Sequence, residues 1–315
     1  MSRQPVLAVL GATGAQGGGL VRAALRDPAQ TFRVRAITRR PDTPAAQSLR
    51  ALGADIAAGD ADDVESLRTA LAGADALFAV TDFWSHQSPE REILQAANIA
   101  DAACRVGISH VVWSTLEDTR LLIPPDSPRF PTLGHRWKVP HFDAKGEADA
   151  LFARLPTTYL HTSFFWDNLI HFGMAPTRGS DGRLGFLLPM GTRALPGIAA
   201  EDIGVCALAL FKLGEKAFGR HVGIAGEHLS GPQMAMALSG VLGEPVRHLD
   251  MPHEAYAALP FPGAADLANM FAYKHDFNGM FRALRSVAET RELHPGVQDF
   301  KTWLNRHAPR IPLAA

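Results

Sequence analysis

The sequence predicts an α/β protein in which a doubly wound parallel sheet is followed by a smaller C-terminal α+β lobe. Short apolar runs alternate with amphipathic segments through the first half of the chain, a rhythm typical of β-α-β units. A glycine-rich turn joins the first apolar run to the first amphipathic segment. The 315 residues are enough for one large domain or for one domain plus a lobe.

The first half contains strand and helix candidates in alternation. The strands are expected at Val6–Leu10, Arg33–Thr38, Asp55–Ala58, Ala76–Val80 and Val111–Ser114. The helices are expected near Gly18–Arg26, Pro44–Leu52, Val64–Leu71 and Glu90–Val106. Gly53 and Gly107 follow two of these helices, and Asp62 and Asp63 precede another as candidate N-caps. This order predicts a parallel sheet with helices on both faces.

A proline-rich loop from Leu121 to Pro140 interrupts the alternation, and a loop of that length is commonly a lid, a binding loop or a mobile segment. A helix near Asp143–Arg154 and a strand near Thr158–Thr162 follow it. We therefore expect a Rossmann domain over 1–163, completed by 197–226 with a helix at Ala200–Leu213 and a strand at Val222–Ala225. The smaller lobe is expected over 164–196 and 227–315, where it forms the cleft.

The composition disfavours several classes of protein. Apolar residues make up 47% and charged residues 20% of the chain, as in ordinary globular proteins. The net charge of −1 provides no overall field for direct binding of nucleic acid or of an anionic membrane. Cys104 and Cys206 are expected to be buried, inert thiols in a reducing compartment. Because we recognise neither a signal peptide nor a run of about twenty apolar residues in the sequence, we expect a cytoplasmic protein.

The glycine turn reads Gly11-Ala12-Thr13-Gly14-Ala15-Gln16-Gly17 between a strand and a helix, the context in which such glycines bind a dinucleotide. Gly11 permits the tight turn, Gly14 the approach of a pyrophosphate, and Gly17 the packing of the helix on the strand. The phosphates then lie at a helix N-terminus, which favours an anion. The alternative is a structural turn without a ligand.

The end of the second strand indicates which dinucleotide is preferred. NAD sites usually place Asp or Glu there, whereas this chain has Thr38-Arg39-Arg40, and a guanidinium can pair with a 2′-phosphate. The sequence therefore predicts NADP(H) bound by Arg39, with an ordinary surface arginine as the alternative. The ends of the third and fourth strands add further candidates, because ligands of open α/β sheets bind at these edges: Asp60, Ala61, Thr81, Asp82, Phe83 and Trp84.

Five motifs resemble those of one protein family. They are Gly11-Ala-Thr-Gly-Ala-Gln-Gly17-Gly18, Thr38-Arg39, Gly59-Asp60-Ala-Asp-Asp63, His141-Phe-Asp-Ala-Lys145-Gly-Glu147 and Phe261-Pro-Gly-Ala-Ala-Asp-Leu-Ala-Asn-Met-Phe271. On these motifs the chain resembles the NmrA-like proteins, atypical short-chain dehydrogenases/reductases, and particularly their NADPH-sensing redox sensors. The first motif occurs across that superfamily, whereas the last two are specific to the sensor-like branch.

The resemblance implies a set of cofactor residues. In addition to the glycine turn, Arg39 and the end of the fourth strand, it implies that NADP(H) contacts Lys145 and the loop after the sixth strand: Ser163, Phe164, Phe165 and Trp166. It also implies that shape or association responds to the NADPH/NADP ratio and that a regulatory protein is bound. A homodimer is left open.

The candidate catalytic residues are Ser114, His141 and Lys145. Dehydrogenases of the superfamily need a tyrosine that passes a proton, a lysine four residues later, and a serine that positions the carbonyl. Here His141 occupies the tyrosine position, and the tyrosines of the chain are Tyr159, Tyr256 and Tyr273. This departure matches the sensor branch and weakens the case for an enzyme, although histidine can transfer protons near neutral pH.

Aromatic residues support an alternative function as a reductase of a small apolar carbonyl, quinone or dye. Phe83, Trp84, Phe164, Phe165 and Trp166 could line an apolar cleft over the nicotinamide, although core packing is the simpler role for each of them. His135, His141, His161 and His171 follow no zinc pattern, so we assign no metal. No Gly-x-Ser-x-Gly elbow is present, so a hydrolase is not expected.

The leading prediction is an NADP(H)-binding redox sensor, in which the oxidised and reduced cofactors favour different arrangements of the proline-rich loop and the second lobe. The alternative is the NADPH-dependent reductase with a small apolar substrate. In a third hypothesis, bound NADP only stabilises the fold.

Overall fold

The computed structural model of the chain describes residues 3–313. Its contacts divide the chain into two compact units. The first comprises the residues up to Asp118, His141–Thr162 and Glu201–Val222, and the second comprises Thr119–Pro140, Ser163–Ala200 and the residues from Gly223 onward. The proline-rich segment thus groups with the second unit. The domain boundaries and the cleft expected from the sequence stay predictions.

The secondary structure alternates strands and helices in the first half of the chain. In chain order the strands are β1 (Val6–Val9), β2 (Arg33–Thr38), β3 (Asp55–Ala58), β4 (Ala76–Ala79), β5 (His110–Thr115), β6 (Thr157–His161), β7 (Phe164–Phe165), β8 (Thr177–Arg178), β9 (Leu184–Leu187), β10 (Leu195–Ile198), β11 (His221–Gly223), β12 (Glu227–Leu229) and β13 (Val246–Leu249). The helices are α1 (Ala15–Leu25), α2 (Pro44–Ala51), α3 (Val64–Leu71), α4 (Pro89–Val106), α5 (Pro140–Phe152), α6 (Asn168–His171), α7 (Ala200–Leu213), α8 (Gly231–Leu242), α9 (His253–Ala257), α10 (Ala264–Asp276), α11 (Asn278–Leu284), α12 (Val287–Leu293) and α13 (Phe300–His307). None of the helices within 3–313 combines the length and the apolarity that crossing a bilayer requires.

Seven strands form the main sheet, in the order β11-β6-β5-β4-β1-β2-β3. The five strand pairs from β6 to β3 are all parallel. Strands β2 and β3 are added on one side of β1, and β4, β5 and β6 are added on the other side. The point beside β1 where the strand order reverses is the switch point of a doubly wound fold. The α/β fold predicted from the sequence is confirmed, and β11 joins the main sheet as expected.

Local sequence explains where the helices begin and end. Thr43 and Ser88 cap α2 and α4 with a proline at the next position, and Gly107 ends α4 in the left-handed conformation. Asp63 caps α3, its carboxylate accepting bonds from the N–H groups of Glu65 and Ser66. The expectation that Asp62 is also a cap is wrong.

Asp62 is instead bound by α4. Its carboxylate lies 2.6 Å from a guanidinium nitrogen of Arg91 and accepts a 3.0 Å hydrogen bond from Gln95. The hydrogen bond from Arg91 is the largest cause that lowers the pKa of Asp62; burial acts in the opposite direction, and the hydrogen bond from Gln95 lowers the pKa further. The loop after β3 is thereby fixed to the N-terminal part of α4.

The apolar core of the first unit lies between the main sheet and α3, α4 and α5. Trp113 of β5 stacks on Phe152 of α5 with ring centroids 4.5 Å apart. Cys206 is buried, and burial raises the pKa of its thiol to about 12. Cys104 is exposed on α4, so the expectation of two buried thiols is wrong for that residue. The apolar face of α4 is supplied by other residues, including Ile99 and Ala103.

The second unit contains two small sheets, β12-β10-β7 and β13-β9-β8. Its proline-rich segment is tied down by a buried ammonium group. Lys138 donates to the carbonyls of Pro125 and Phe130 at 2.7 and 2.9 Å and to the hydroxyl of Thr132 at 3.0 Å. Asn269, from the Phe261–Phe271 motif, donates to the carbonyls of Pro131 and Lys138. That motif therefore fixes the proline-rich segment within its own unit.

Candidate functional site

The glycine turn connects β1 to α1 as predicted. Gly11 has a φ of +62°, and the N–H of Gly14 donates to its carbonyl at 2.9 Å. Gly14 is the N-cap residue of α1, and among the described residues no side chain caps that helix. The N–H groups of the first helical turn are therefore left for an anion, because they have no partner within the helix. Thr13, Gly14 and Ala15 are exposed, so a ligand can approach them.

Gly17 makes the close contact that this turn needs. A Cβ atom at this position would lie 2.4 Å from the carbonyl oxygen of Gly11 and 2.9 Å from that of Leu10. Both obstacles are backbone atoms, which a side-chain rotation cannot move away. The residue is buried, and its lack of a side chain lets α1 lie directly on the end of β1.

Ser114 joins the end of β5 to the glycine turn. Its hydroxyl donates a 2.8 Å hydrogen bond to Oε1 of Gln16, and the residue is 2% exposed. Two sequence-predicted residues that are 98 positions apart therefore meet. In this arrangement the Ser114 hydroxyl orients Gln16, one of the cofactor candidates.

Arg39 and Arg40 follow β2 and are both exposed. Within residues 3–313 the Arg39 guanidinium makes no hydrogen bond and no ion pair, so it is available to an anionic ligand. At the next strand end, Asp60 is half-buried, and its N–H donates to the Ser66 hydroxyl at 2.9 Å. The carbonyl of Ala61 accepts a bond from Asn98 of α4, which fixes this loop beside the sheet edge.

Lys145 is bound to the end of β4. Its Nζ atom lies 2.6 Å from Oγ1 of Thr81 and 2.8 Å from Oε1 of Glu92, a residue of α4. The Thr81 hydroxyl donates to the same carboxylate at 2.5 Å. Nε2 of His86 lies 3.3 Å from the other oxygen of Glu92. We call these four residues the Lys145 cluster: Thr81, His86, Glu92 and Lys145.

Glu92 is fully buried yet charged. Burial is the largest single influence and by itself raises its pKa, but the charge of Lys145 and the contacts with His86, Lys145 and Thr81 outweigh it and lower the pKa to about 2. A buried carboxylate facing a buried ammonium group fixes the position of both. Glu92 therefore sets where the Lys145 amine points.

His141 lies one helical turn before Lys145 on α5, the spacing that the sequence indicated. It is 6% exposed. Its ring lies 4.9 Å from that of Trp84 and 5.8 Å from that of Phe83, between ring centroids. Trp84 is half-buried and Phe83 buried, and both directly follow the exposed Asp82 at the end of β4. His141 thus stands among residues predicted to lie beside the nicotinamide.

Gly146 allows α5 to approach the segment after β5. A Cβ atom there would lie 2.3 Å from the backbone nitrogen of Asp118. The glycine that follows Lys145 in the motif therefore has a packing role, and it sets the depth at which α5 places Lys145 and His141.

A family model described as the NmrA-like family matches residues 3–304. This chain belongs to the NmrA-like family. The membership inferred from the five motifs is confirmed.

Similar proteins include both enzymes and a regulator. An NAD(P)H azoreductase of Xenophilus azovorans is 31% identical over 246 residues, which cover 78% of this chain and 76% of that protein. The NmrA-like family domain-containing oxidoreductase notA of Aspergillus sp. (strain MF297-2) is 42% identical over 116 residues, or 35% of this chain and 34% of that protein. The matches to the first four curated relatives each span only 32% to 34% of the relative. A crystal structure of NmrA, a negative transcriptional regulator, in complex with NADP superposes with a TM-score of 0.77 at 25% identity, covering 98% of this chain and 96% of that one.

The remaining predicted residues of this NmrA-like chain lie in the second unit. Phe164 and Phe165 form β7, which pairs with β10. Trp166 is 1% exposed and packs against Phe300 and Trp303, with ring centroids 5.4 and 6.4 Å away. The side chain of Trp166 thus has a packing role. The contribution of Ser163 to Trp166 to a cofactor site stays a prediction.

Sequence reasoning missed Glu92 and His86. Both lie in a stretch that periodicity assigned to α4 or to the segment just before it, and a glutamate near a helix N-terminus has an ordinary explanation. The sequence contained only a weak indication that Glu92 has a buried partner. Glu92 falls on the apolar face of α4 with Gln95, Ala96 and Ile99, where a charged residue needs a buried partner.

Proposed function

We propose that this protein binds NADP(H) at the glycine turn and acts as a redox sensor or regulator. The proposal rests on one contrast within the first unit: the groups suited to binding a dinucleotide are present, whereas the catalytic tyrosine is replaced. The first unit has an uncapped, exposed helix N-terminus, a buried Lys145 and an Arg39 guanidinium that no residue within 3–313 binds, while the tyrosine position holds His141. The donor set suits an anionic dinucleotide, because backbone N–H groups and a guanidinium both favour phosphate.

The residues of the chain have distinct roles in this proposal. The N–H groups at the start of α1 bind the pyrophosphate, and Arg39 pairs with the 2′-phosphate. Lys145, oriented by Glu92 and Thr81, donates to the nicotinamide ribose. The nicotinamide would carry a hydride in its reduced form, and the positive charge of the oxidised ring is what distinguishes the two states to the protein.

A regulator rather than an enzyme is favoured by the surroundings of the tyrosines. Tyr159 stacks on His221, Tyr256 packs against Phe261 and Phe271, and Tyr273 packs against Phe277 and Phe281. None of these ring contacts places a tyrosine hydroxyl next to Lys145. NmrA, the structural relative in complex with NADP, is a negative transcriptional regulator, and this supports a regulatory function.

The proposal is tested by titrating the purified protein with NADPH, NADP, NADH and NAD in parallel. For each state, amide exchange of residues 121–140 and the association state are measured. We expect NADPH and NADP to bind with different affinities and to change protection or association differently, since a ligand shifts an equilibrium only by its differential affinity. Equal binding with unchanged protection and association would contradict a sensor.

Replacing Arg39 with aspartate is expected to reverse the cofactor preference. Loss of the charged hydrogen bonds to the 2′-phosphate should weaken NADPH binding about 10- to 100-fold, while NADH binding is retained or improved. Isothermal titration with both cofactors measures this. Arg40→Asp is the matched control, because it makes the same charge change one position later. An equal effect in both variants would indicate a general electrostatic contribution rather than a specific contact.

A second candidate function is an NADPH-dependent reductase of a quinone, dye or small carbonyl. The observation that favours it is the position of His141 beside Trp84 on the same helix as Lys145, together with a relative named as an NAD(P)H azoreductase. In such a reaction NADPH supplies the hydride and His141 delivers the proton. NADPH oxidation over a panel of quinones, azo and triphenylmethane dyes and aldehydes decides whether any turnover exists.

If a substrate is found, His141→Gln is expected to lower kcat about 100- to 10,000-fold, the usual contribution of a general acid. The affinity for NADPH should be unchanged, because the proposed cofactor contacts are made by other residues. The control is His135→Gln at an exposed histidine. Unchanged kcat in the His141 variant would mean that solvent supplies the proton.

A further inference from the structure

Three potential metal ligands meet in the first unit. Asp149 on α5, His161 at the end of β6 and His221 at the start of β11 each place one carboxylate oxygen or ring nitrogen within 4.8 Å of the other two. Within residues 3–313 no other three His, Cys, Asp or Glu side chains have this geometry. We call them the Asp149 cluster. Because they come from three different elements, their spacing along the chain gave no zinc pattern.

The two histidines already share a hydrogen between ring nitrogens. Nε2 of His161 lies 2.9 Å from Nδ1 of His221, so one of these nitrogens presents a lone pair to the other. These two ring nitrogens therefore face each other. Imidazole nitrogen and carboxylate oxygen are the ligands that zinc and related divalent transition metals prefer.

The carboxylate is oriented by neighbours that leave one of its oxygens available. The hydroxyl of Thr115 and the indole N–H of Trp113 donate to Oδ1 of Asp149 at 2.6 and 2.8 Å. Within the described residues, Oδ2 of Asp149 accepts no hydrogen bond. Hydrogen bonds that fix a ligand's direction are a regular part of metal sites. The ring of His221 is likewise fixed, since it stacks on Tyr159 with centroids 4.4 Å apart and planes 7° from parallel.

We propose that Asp149, His161 and His221 bind one divalent transition-metal ion of the zinc class, with water completing its coordination. Metal ligation requires two neutral imidazoles and an ionised carboxylate, so the histidine that donates the shared hydrogen changes tautomer and carries that hydrogen on its other ring nitrogen. This proposal does not rest on the proposed dinucleotide function. Its effect would be to link α5 to β6 and β11.

Metal binding requires only a small increase in the distance between the two ring nitrogens. With metal–nitrogen distances of about 2.0–2.1 Å, two tetrahedral ligands lie about 3.3–3.4 Å apart, slightly more than the 2.9 Å between the two ring nitrogens. His161 is buried, whereas His221 is exposed and is the first residue of its strand. His221 can therefore shift outward along the face of the Tyr159 ring while it stays stacked, and its exposed side is where a water ligand would enter.

The test is zinc binding by the full chain after removal of metals with a chelator. We expect one Zn²⁺ per chain in equilibrium dialysis, and a Tm that rises with zinc concentration, because the ion binds the native state. His221→Ala should weaken binding by more than about 10-fold, since even lost secondary contacts cost 10- to 100-fold. Because His221 is exposed, this variant is expected to fold.

Two further variants keep the test decisive. Asp149→Asn retains an acceptor for Thr115 and Trp113 but loses the charge, and it should weaken zinc binding in the same way. His135→Ala removes an exposed histidine outside the cluster and should leave binding unchanged. NADPH titration of each variant reports separately on the dinucleotide site. The proposal is overturned if wild type binds no stoichiometric zinc, or if the His221 and Asp149 variants bind it as well as wild type does.

Discussion

Replacing Glu92 with alanine is expected to destabilise the protein by about 3–5 kcal/mol, the usual cost of breaking a buried ion pair by removing one partner. The carboxylate is fully buried and lies 2.8 Å from the Lys145 ammonium group. Without it, a buried cation is left without its counter-charge. Urea denaturation of the protein without cofactor measures the loss.

The same variant should also weaken NADPH binding, because Lys145 then has no fixed orientation. Glu92→Gln is the matched control, since the amide oxygen still accepts from Lys145 and Thr81 while the charge is removed. We expect the glutamine variant to lose less stability than the alanine variant. If Glu92→Ala unfolds at the same urea concentration as wild type, the proposed role of Glu92 in the Lys145 cluster is wrong.

The ionisation of Glu92 adds a pH signature to this result. Its pKa falls from an ordinary value of 4.5 to about 2 in the folded protein, so its contribution to stability is fully present above pH 4.5. That contribution is lost as the pH falls from 4.5 towards 2, because the native carboxylate must then be protonated. Comparing wild type with Glu92→Gln isolates this component from the other acidic residues. The two curves should converge at the acid end of this window.

Replacing Gly17 with alanine is expected to have the second largest effect, on both stability and cofactor binding. A methyl group there meets the carbonyl oxygen of Gly11 at 2.4 Å, so α1 has to move away from the end of β1. Overpacking of this kind costs about 1–3 kcal/mol. Displacing the N–H groups of α1 should also weaken NADPH binding about 10- to 100-fold, since hydrogen bonds to a charged group contribute about 1.5–3 kcal/mol.

Gly240→Ala provides the control for a glycine substitution in a helix. This residue lies in α8, is exposed, and a Cβ atom there has no neighbour within 4 Å. We expect it to gain about 0.5–1 kcal/mol of stability and to leave NADPH binding unchanged. Thermal denaturation and titration of both variants test this. Full NADPH affinity in Gly17→Ala would mean that the turn does not bind the pyrophosphate.

The sequence by itself determined the features that depend on neighbouring residues. The alternation of apolar runs located β2, β3, α3 and α7 with the bounds that the structure has. Glycine and strand context placed the turn before α1, although α1 begins at Ala15 rather than near Gly18. The motif gave the four-residue spacing of His141 and Lys145, but the helix was expected to begin near Asp143, whereas α5 begins at Pro140 and contains both residues. Such signals are local, because hydrophobic periodicity and helix caps involve residues a few positions apart.

Only the tertiary structure decided the contacts between distant elements. Glu92 meets Lys145 across 53 positions because α4 and α5 both pack on the main sheet, and Ser114 reaches Gln16 because β5 ends near the glycine turn. The Asp149 cluster likewise forms where α5, β6 and β11 converge. No periodicity reports these pairs, since the position of a side chain relative to a remote one is fixed by how whole elements pack. The sequence thus determined the type of each element and the cofactor motif, and packing determined which charged groups meet.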